Sequence, residues 1–354
     1  MGQQPSIVRA KAALPLFEDW REQELTTRNW QADPSTDYAA ASRGTPAPGI
    51  EYRAPGVQHV PPSIGASASS VQQALQDAHA RLQPITDSPQ LEAEVLLAYV
   101  LGASRTSVIA HPERTLTRRQ VSTYRRLVRR RASAYPLPYL TGRAEFYGLQ
   151  FEVTPDVLIP RPETETLVDL AVAYRPATVV EVGTGSGCIA VALAVHLPEV
   201  TVQAIEISPA ALAVARRNVE RHGVADRVQL MVGDILTPRP EPVDLIVSNP
   251  PYIAAGQCAS LPASVRDHEP RLALDGGTDG LAITRRLLAQ APAVLRATER
   301  ARQGEKRPGG AMLIEIGADQ GEAAGRLART FFRQAAVRVH RDLAGRDRVL
   351  EVQL

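Results

Sequence analysis

The chain has 354 residues, 44% of them apolar, enough for two or three domains with full cores. Its 40 Lys and Arg against 38 Asp and Glu leave a formal net charge of +2, too small by itself to argue for nucleic acid. Two cysteines, Cys188 and Cys258, supply neither a disulfide framework nor a zinc set, and no run approaches about 18 apolar residues, so a reduced cytoplasmic setting without a membrane span is expected.

Residues 1–69 form a Pro/Ala-rich leader, predicted to be disordered: eight prolines fall in the first 62 residues. Both tryptophans, Trp20 and Trp30, sit in it, so Leu14–Trp30 is either part of an incidental low-order extension or a short helix that docks on the body or on a partner. The leader has no apolar signal core, and Met1-Gly2-Gln3-Gln4-Pro5-Ser6 matches only the loose myristoylation pattern. Residues 70–135 read as a small helical bundle. Val71, Leu75, Ala78 and Leu82 mark one helical face; Leu91, Val95, Leu96 and Val100 mark a second, closed by Gly102. Thr117 caps a third helix, which carries Arg118, Arg119, Arg125, Arg126, Arg129, Arg130 and Arg131. That basic face is either simply solvated or a docking surface for an acidic protein or for RNA phosphate.

Residues 136–162 look like a connector with a hairpin, Phe146 and Phe151 flanking Gly148. Residues 163–354 alternate strand and helix. The strands are Val179–Val182, Val202–Ile205, Val228–Val232, Val243–Val247 and Met312–Ile316, with a polar loop at 299–310 before the last. The clearest helix has Ser208 as its cap and Pro209 at its first position, and stops at Gly223. Val337–Val339 and Val349–Val352, joined by a short loop, close the chain as an antiparallel pair. The pattern is that of an α/β doubly wound, mostly parallel sheet, whose ligands sit at the strands' C-terminal ends.

Candidate site residues fall at four such ends. Gly183-Thr184-Gly185-Ser186-Gly187 gives a tight turn into a helix, but its glycine spacing misses the dinucleotide pattern and favours a nucleoside without phosphate. Glu206 can accept both hydroxyls of a ribose, and an adenine fits beside Asp234 and Ile235. Asn249-Pro250-Pro251-Tyr252 suits a planar –NH2 group. The Asn249 side-chain oxygen and the Pro250 carbonyl are two acceptors, the prolines hold the backbone extended, and Tyr252 is an aromatic wall.

Together these segments resemble the S-adenosylmethionine-dependent methyltransferases, and most closely the release-factor glutamine methyltransferases (PrmC/HemK family), over roughly Val71–Leu354. The resemblance rests on Tyr139–Gly142, Glu145–Gly148, Leu158–Glu165 with its Pro-Arg-Pro-Glu-Thr-Glu run, the glycine turn, Ser248–Ile253, Glu269-Pro270, Ala273-Leu274, Gly276-Gly277 and Asp279-Gly280. It implies a Rossmann-like class I methyltransferase with a seven-stranded sheet and terminal antiparallel hairpin. It also implies S-adenosyl-L-methionine as cofactor, and methylation of the glutamine side-chain nitrogen N(5) in the Gly-Gly-Gln motif of peptide-chain release factors. The catalytic and substrate-binding residues implied are Asn249, Pro250, Pro251 and Tyr252. The cofactor-binding residues are Gly183, Thr184, Gly185, Ser186, Gly187, Glu206, Asp234, Ile235 and Asn249, with no metal.

Glu181 either holds the methionine amine, directly or through water, or is structural; Cys188 reads as packing. Arg161, Glu163 and Glu165 are either salt-bridging scaffold or a lid, and Glu269-Pro270 seats the substrate loop. No dedicated general base is expected, and a monomer without a membrane or stable nucleic-acid partner is. The alternative is a nucleic-acid N(6)-adenine methyltransferase, since adenine offers the same flat amino group but must be flipped out of a duplex. A third reading, a dead cofactor-binding protein, conflicts with the intact Asn-Pro-Pro-Tyr run and glycine turn.

Overall fold

A computed structural model of the chain describes residues 69–238, 240–295 and 310–354. The predicted leader with Trp20 and Trp30, and the polar loop as far as residue 309, lie outside the described residues.

Five helices come first: α1 (Val71–Leu82), α2 (Pro89–Leu101), α3 (Arg105–Ala110), α4 (Arg118–Ala132) and α5 (Leu137–Thr141). Their shared core includes Val71, Leu82, Leu96, Leu97, Tyr124, Val128 and Leu140. α1 buries the predicted face. α2 does so only in part: Leu96 is buried and Val95 and Val100 are half-buried, but Leu91 is exposed, and Ala93, Leu97 and the carboxylate-bearing Glu94 are buried as well. α2 packs against α1, α3, α4 and α5, so its inward side is set by several neighbours and no single stripe describes it. α3, with one buried residue, Val108, is too short to show a helical period, which is why the sequence does not announce it. At α4, Thr117 and Gln120 complete a reciprocal capping box.

The basic face of α4 is smaller than the sequence suggests. Arg131 is folded inward, donating from Nε and Nη2 to the two oxygens of Glu92 on α2 at 2.6 and 3.0 Å. Arg130 lies over the Tyr135 ring at 4.0 Å. Arg118, Arg119, Arg125, Arg126, Arg129 and Arg130 itself remain exposed.

A two-stranded antiparallel hairpin, β1 (Arg143–Phe146) and β2 (Leu149–Glu152), follows. Tyr147 at its tip has φ 54°, a conformation unusual for a side-chain-bearing residue. Its N–H donates to Glu165 at 2.9 Å and its hydroxyl to Asp169 at 2.7 Å, which offsets that cost.

Then α6 (Glu165–Tyr174), β3 (Thr178–Val182), α7 (Cys188–His196), β4 (Thr201–Glu206), α8 (Pro209–Arg221), β5 (Val228–Val232) and β6 (Leu245–Ser248) alternate. After them come α9 (Ala263–Arg266), α10 (Ala282–Gln290), β7 (Ala311–Glu315), α11 (Gly321–Phe331), β8 (Ala336–Arg341) and β9 (Asp347–Gln353). Among the described residues these strands form one seven-stranded sheet in the order β5-β4-β3-β6-β7-β9-β8. β5, β4, β3, β6 and β7 are parallel; β9 is antiparallel to both β7 and β8, the predicted terminal hairpin. One face is covered by a core with Phe146, Phe151, Leu167 and Leu193, the other by one with Leu287, Leu288, Ala324 and Ala328. Strands buried on both sides read as near-continuous apolar runs, and β3, β6 and β7 do so except for Glu181 in β3, Ser248 in β6 and Glu315 in β7. The strand order reverses between β3 and β6, which opens a crevice at their C-terminal ends.

Candidate active site

That crevice holds a cavity of about 290 Å³, near the lower end of small-molecule sites. It is lined by Gly183, Thr184, Gly185 and Ser186 after β3, by Glu206 ending β4, by Gly233, Asp234 and Ile235 after β5, and by Ser248, Asn249, Pro250 and Pro251 at the end of β6. Four strand ends named from the sequence therefore meet in one place. Two predicted site residues, Gly187 and Tyr252, are not part of the lining.

The glycine turn is fixed by one carboxylate. Glu206 accepts the Gly185 N–H at 2.8 Å with one oxygen and the Ser208 N–H at 2.9 Å with the other. Gly185 has φ 55°, so the turn needs a residue without a Cβ penalty there. Gly187 starts α7 with φ 81°, and a Cβ on it would lie 3.3 Å from Ala215, so it serves the packing of α7 on α8. Asn218 on α8, which the sequence reading passed over, is fully buried and donates to the Ser186 and Glu152 carbonyls, tying the turn to the hairpin.

Glu181 on β3 has no exposure. Its Oε2 accepts from the Thr184 hydroxyl at 2.6 Å and the Ala190 N–H at 3.1 Å; its Oε1 is buried without a partner. Burial pushes its pKa up to about 8, against the pull of those two hydrogen bonds. Burial, then the nearby Glu181, pushes the Cys188 thiol up to about 12, so it is no nucleophile.

The Asn249 carboxamide donates through Nδ2 to the Thr164 hydroxyl at 3.1 Å, turning its nitrogen away and leaving Oδ1 to accept. Thr164 is 2% exposed, and near it lies Glu315 at the end of β7. The Tyr252 hydroxyl points to the same carboxylate, 3.4 Å from Oε1, and its backbone carbonyl accepts from Gln320 at 2.9 Å. Burial pushes Glu315 up to about 7; Thr164, Arg348 and Tyr252 oppose this, and Glu163 adds to it. Neither Thr164 nor Glu315 was assigned a role from the sequence. The only signal was an acid inside an apolar strand.

The segments around the site act as braces. Arg161 lines the cavity and pairs with Glu269 at 2.5 Å, while the other Glu269 oxygen accepts the Ile159 N–H. Ile253 exchanges backbone bonds with Leu274 and Gly276, so residues 274–276 hold the Asn-Pro-Pro-Tyr loop from one side. Asp234 pairs with Arg286 at 2.6 Å. Both arginines in the lining are thus paired with carboxylates, and among the described residues the lining acids Asp156 and Glu206 have no salt-bridge partner. Such a lining does not suit a pyrophosphate; it suits hydroxyls and a cationic ligand, as a sulfonium nucleoside is. Among the described residues no group of His, Cys, Asp and Glu is placed to hold a metal, and no helix is long and apolar enough to cross a membrane.

Comparison with known proteins agrees with this chemistry. A family model described as the PrmC N-terminal domain matches residues 73–142, and one described as the methyltransferase small domain matches residues 163–266. A release factor glutamine methyltransferase of Moorella thermoacetica is 45% identical over 286 residues, 79% of this chain and 96% of that protein. One from Geobacter sulfurreducens is 44% identical over 250 residues, 70% of this chain and 84% of that protein. At that identity and coverage, this chain belongs to the S-adenosylmethionine-dependent release factor glutamine methyltransferases.

Proposed function

We propose that this protein methylates the side-chain amide nitrogen N(5) of the glutamine in the Gly-Gly-Gln motif of peptide-chain release factors. The observation that carries the reading is the Asn249 carboxamide: its nitrogen is committed to Thr164, so its oxygen is the acceptor beside the cavity. Asn249 Oδ1 and the Pro250 carbonyl take the two hydrogens of the substrate amide and fix its plane. Pro251 lines the cavity beside them. Tyr252, outside the lining, contributes from behind, bracing the loop through Glu315 and Gln320. Bound S-adenosylmethionine supplies a methyl carbon already activated by its sulfonium. The residues that hold the cofactor are the turn Gly183–Gly187, Glu206 for the ribose hydroxyls, and Asp234 with Ile235 beside the adenine. Glu181, fully buried and outside the cavity lining, holds the glycine turn through Thr184 or reaches the methionine amine through water.

An amide nitrogen is a weak nucleophile because its lone pair is shared with the carbonyl. Two acceptors on its hydrogens raise its electron density and aim it, and such positioning supplies on the order of 7–11 kcal/mol in favourable cases. The proton leaves through those acceptors or water. In this reading residues 70–135 dock the protein substrate, residues 136–162 connect, and residues 163–354 carry the chemistry. The exposed arginines of α4 are an electrostatic component of that docking.

The test is direct. With labelled cofactor, purified release factor and duplex DNA in one reaction, label is expected on the release factor and is expected to vanish when its motif glutamine is changed to alanine. Label on DNA alone would replace this reading with the N(6)-adenine one. Asn249→Ala is expected to abolish turnover while leaving cofactor affinity nearly intact, and an unaltered turnover would sink the assignment.

A further inference from the structure

We propose that Leu272 is a substrate-contact residue at the mouth of the cavity, and that it selects glycine before the target glutamine by admitting only main chain that carries no side chain. This rests on the Gly-Gly-Gln reading above and extends it from the amide to its neighbours in the substrate.

An exposed leucine by itself says little. Leu272 lines the cavity and is yet 58% exposed, which puts it at the opening. It is also held still. It sits in the middle of a single 3-10 turn, Arg271–Ala273, closed by the Ala273 N–H on the Pro270 carbonyl at 2.9 Å and the Leu274 N–H on the Arg271 carbonyl at 3.0 Å. Arg271 and Asp275 pair across the turn at 3.1 Å. Leu274, the next residue but one, is buried, and its carbonyl accepts the Ile253 N–H at 3.0 Å. Gly276 then packs so closely on the Asn-Pro-Pro-Tyr loop that a Cβ on it would lie 2.6 Å from the Pro251 carbonyl oxygen. Leu272 therefore keeps a fixed place relative to Asn249 and Pro250, at the substrate end of the opening. Ile207, also exposed in the lining, follows Glu206 and stands at the ribose end.

The glutamine side chain is short. From its amide nitrogen to its Cα is roughly 5 Å even when extended. With the amide held by Asn249 Oδ1 and the Pro250 carbonyl, the substrate main chain cannot stay outside and is drawn down onto the rim. The walls it meets, Leu158, Pro160, Pro251, Pro270 and Ala273 beside Leu272, are apolar, and three are prolines whose rings cannot swing aside. A residue with a Cβ next to the glutamine would press it against this rim. Glycine brings none and lets the two chains approach closely. In return the substrate covers a leucine that is open to water in the free enzyme.

The experiment crosses enzyme with substrate. Wild type, Leu272→Ala and Leu272→Phe are each assayed on a release factor with its motif intact and on one whose glycine next to the glutamine is changed to alanine, and cofactor affinity is measured by calorimetry. On the intact substrate Leu272→Ala is expected to raise KM about 5- to 30-fold, with kcat and cofactor affinity within about threefold of wild type. The alanine substrate is expected to lower the wild-type kcat/KM about 100-fold, as a methyl forced into a tight contact does, and Leu272→Ala to recover at least about tenfold of that loss. Leu272→Phe narrows the mouth and is expected to enlarge the alanine penalty; it decides the matter alone if Leu272→Ala does not fold. A merely structural role for Leu272 would lower activity equally on both substrates. No alanine penalty in wild type, the same penalty in wild type and variants, or a loss in cofactor affinity as large as the rise in KM would each overturn the inference. If label persists on a release factor whose motif glutamine is changed to alanine, the reading of the substrate fails and this inference falls with it. If that label vanishes and the alanine penalty ignores Leu272, only the inference fails.

Discussion

Replacing Glu206 by glutamine separates cofactor binding from chemistry. Both oxygens of Glu206 accept backbone N–H groups, at 2.8 Å from Gly185 and 2.9 Å from Ser208, and the residue is only 7% exposed. An amide of the same shape can satisfy one of them. Its –NH2 then faces the other N–H, donor against donor, so the turn at Gly185 or the start of α8 must move. A hydrogen bond to a charged acceptor contributes about 1.5–3 kcal/mol, and losing one in a buried place leaves its donor stranded. A cost of about 2–3 kcal/mol is expected, or about 30- to 150-fold in cofactor affinity, before counting the weaker grip on the ribose hydroxyls. Calorimetric titration of S-adenosylmethionine and of its demethylated product measures it, with Asn249→Ala as the control whose affinity stays near wild type. A Glu206→Gln variant that binds both ligands within about twofold of wild type would refute the argument that this carboxylate organises the turn.

Three other outcomes follow from particular contacts. Gly187→Ala forces a Cβ to 3.3 Å from Ala215 at φ 81°, and is expected to cost on the order of 1–3 kcal/mol in chemical denaturation; an unchanged midpoint would show that α7 and α8 have room to separate. Glu181 has its pKa raised by burial from 4.5 to about 8, so between those values the folded protein holds a proton that the unfolded chain has released. Stability is therefore expected to fall as pH rises across that window, and Glu181→Gln to flatten the slope; parallel slopes for both proteins in urea titrations from pH 5 to about pH 8 would contradict the shift. Arg131→Ala breaks a two-pronged pair with Glu92 in which each side chain is 12% exposed, and is expected to destabilise the protein by about 1–3 kcal/mol. Arg126→Ala, on the open face of α4, is expected to leave thermal stability unchanged, and equal loss from the two variants would place Arg126 in the fold rather than on its surface.

The sheet was legible because its strands are short apolar runs separated by turn residues, and the chain order of such runs with intervening helices allows few topologies. The caps at Thr117 and Ser208 were legible because each needs one residue type at one place. The helical bundle was less so. α2 touches four other helices, and a residue such as Leu91 is apolar without being inside. Arg131 shows the same limit for charge. Seven arginines on one segment look like a surface, but Glu92, which claims one of them, lies 39 residues away on another helix.

The site divides along a similar line. Residues that touch a ligand must have particular chemistry in particular order, so the glycine turn, Glu206 and the Asn-Pro-Pro-Tyr run stand out in the sequence. Residues that only aim those groups need not be near them in the chain: Thr164 is 85 residues from Asn249. The sequence does mark both supporting acids, by a conflict between neighbours. Val179-Val180-Glu181-Val182 and Met312-Leu313-Ile314-Glu315-Ile316 are runs that ought to be wholly apolar, and each contains one carboxylate. β3 and β7 are the two strands that flank β6, the strand from which Asn249 emerges. In register, Glu181 lies opposite Val247, and Glu315 comes one residue beyond the Ser248–Ile314 pair. Burial raises the pKa of both acids, a cost in folding that packing alone would not select, since leucine would fit a sheet interior better. Local rules are broken where the site needs them broken. An acid inside a core strand therefore points to a strand end: Glu181 holds Thr184 in the glycine turn after β3, and Glu315 receives the Tyr252 hydroxyl after β6.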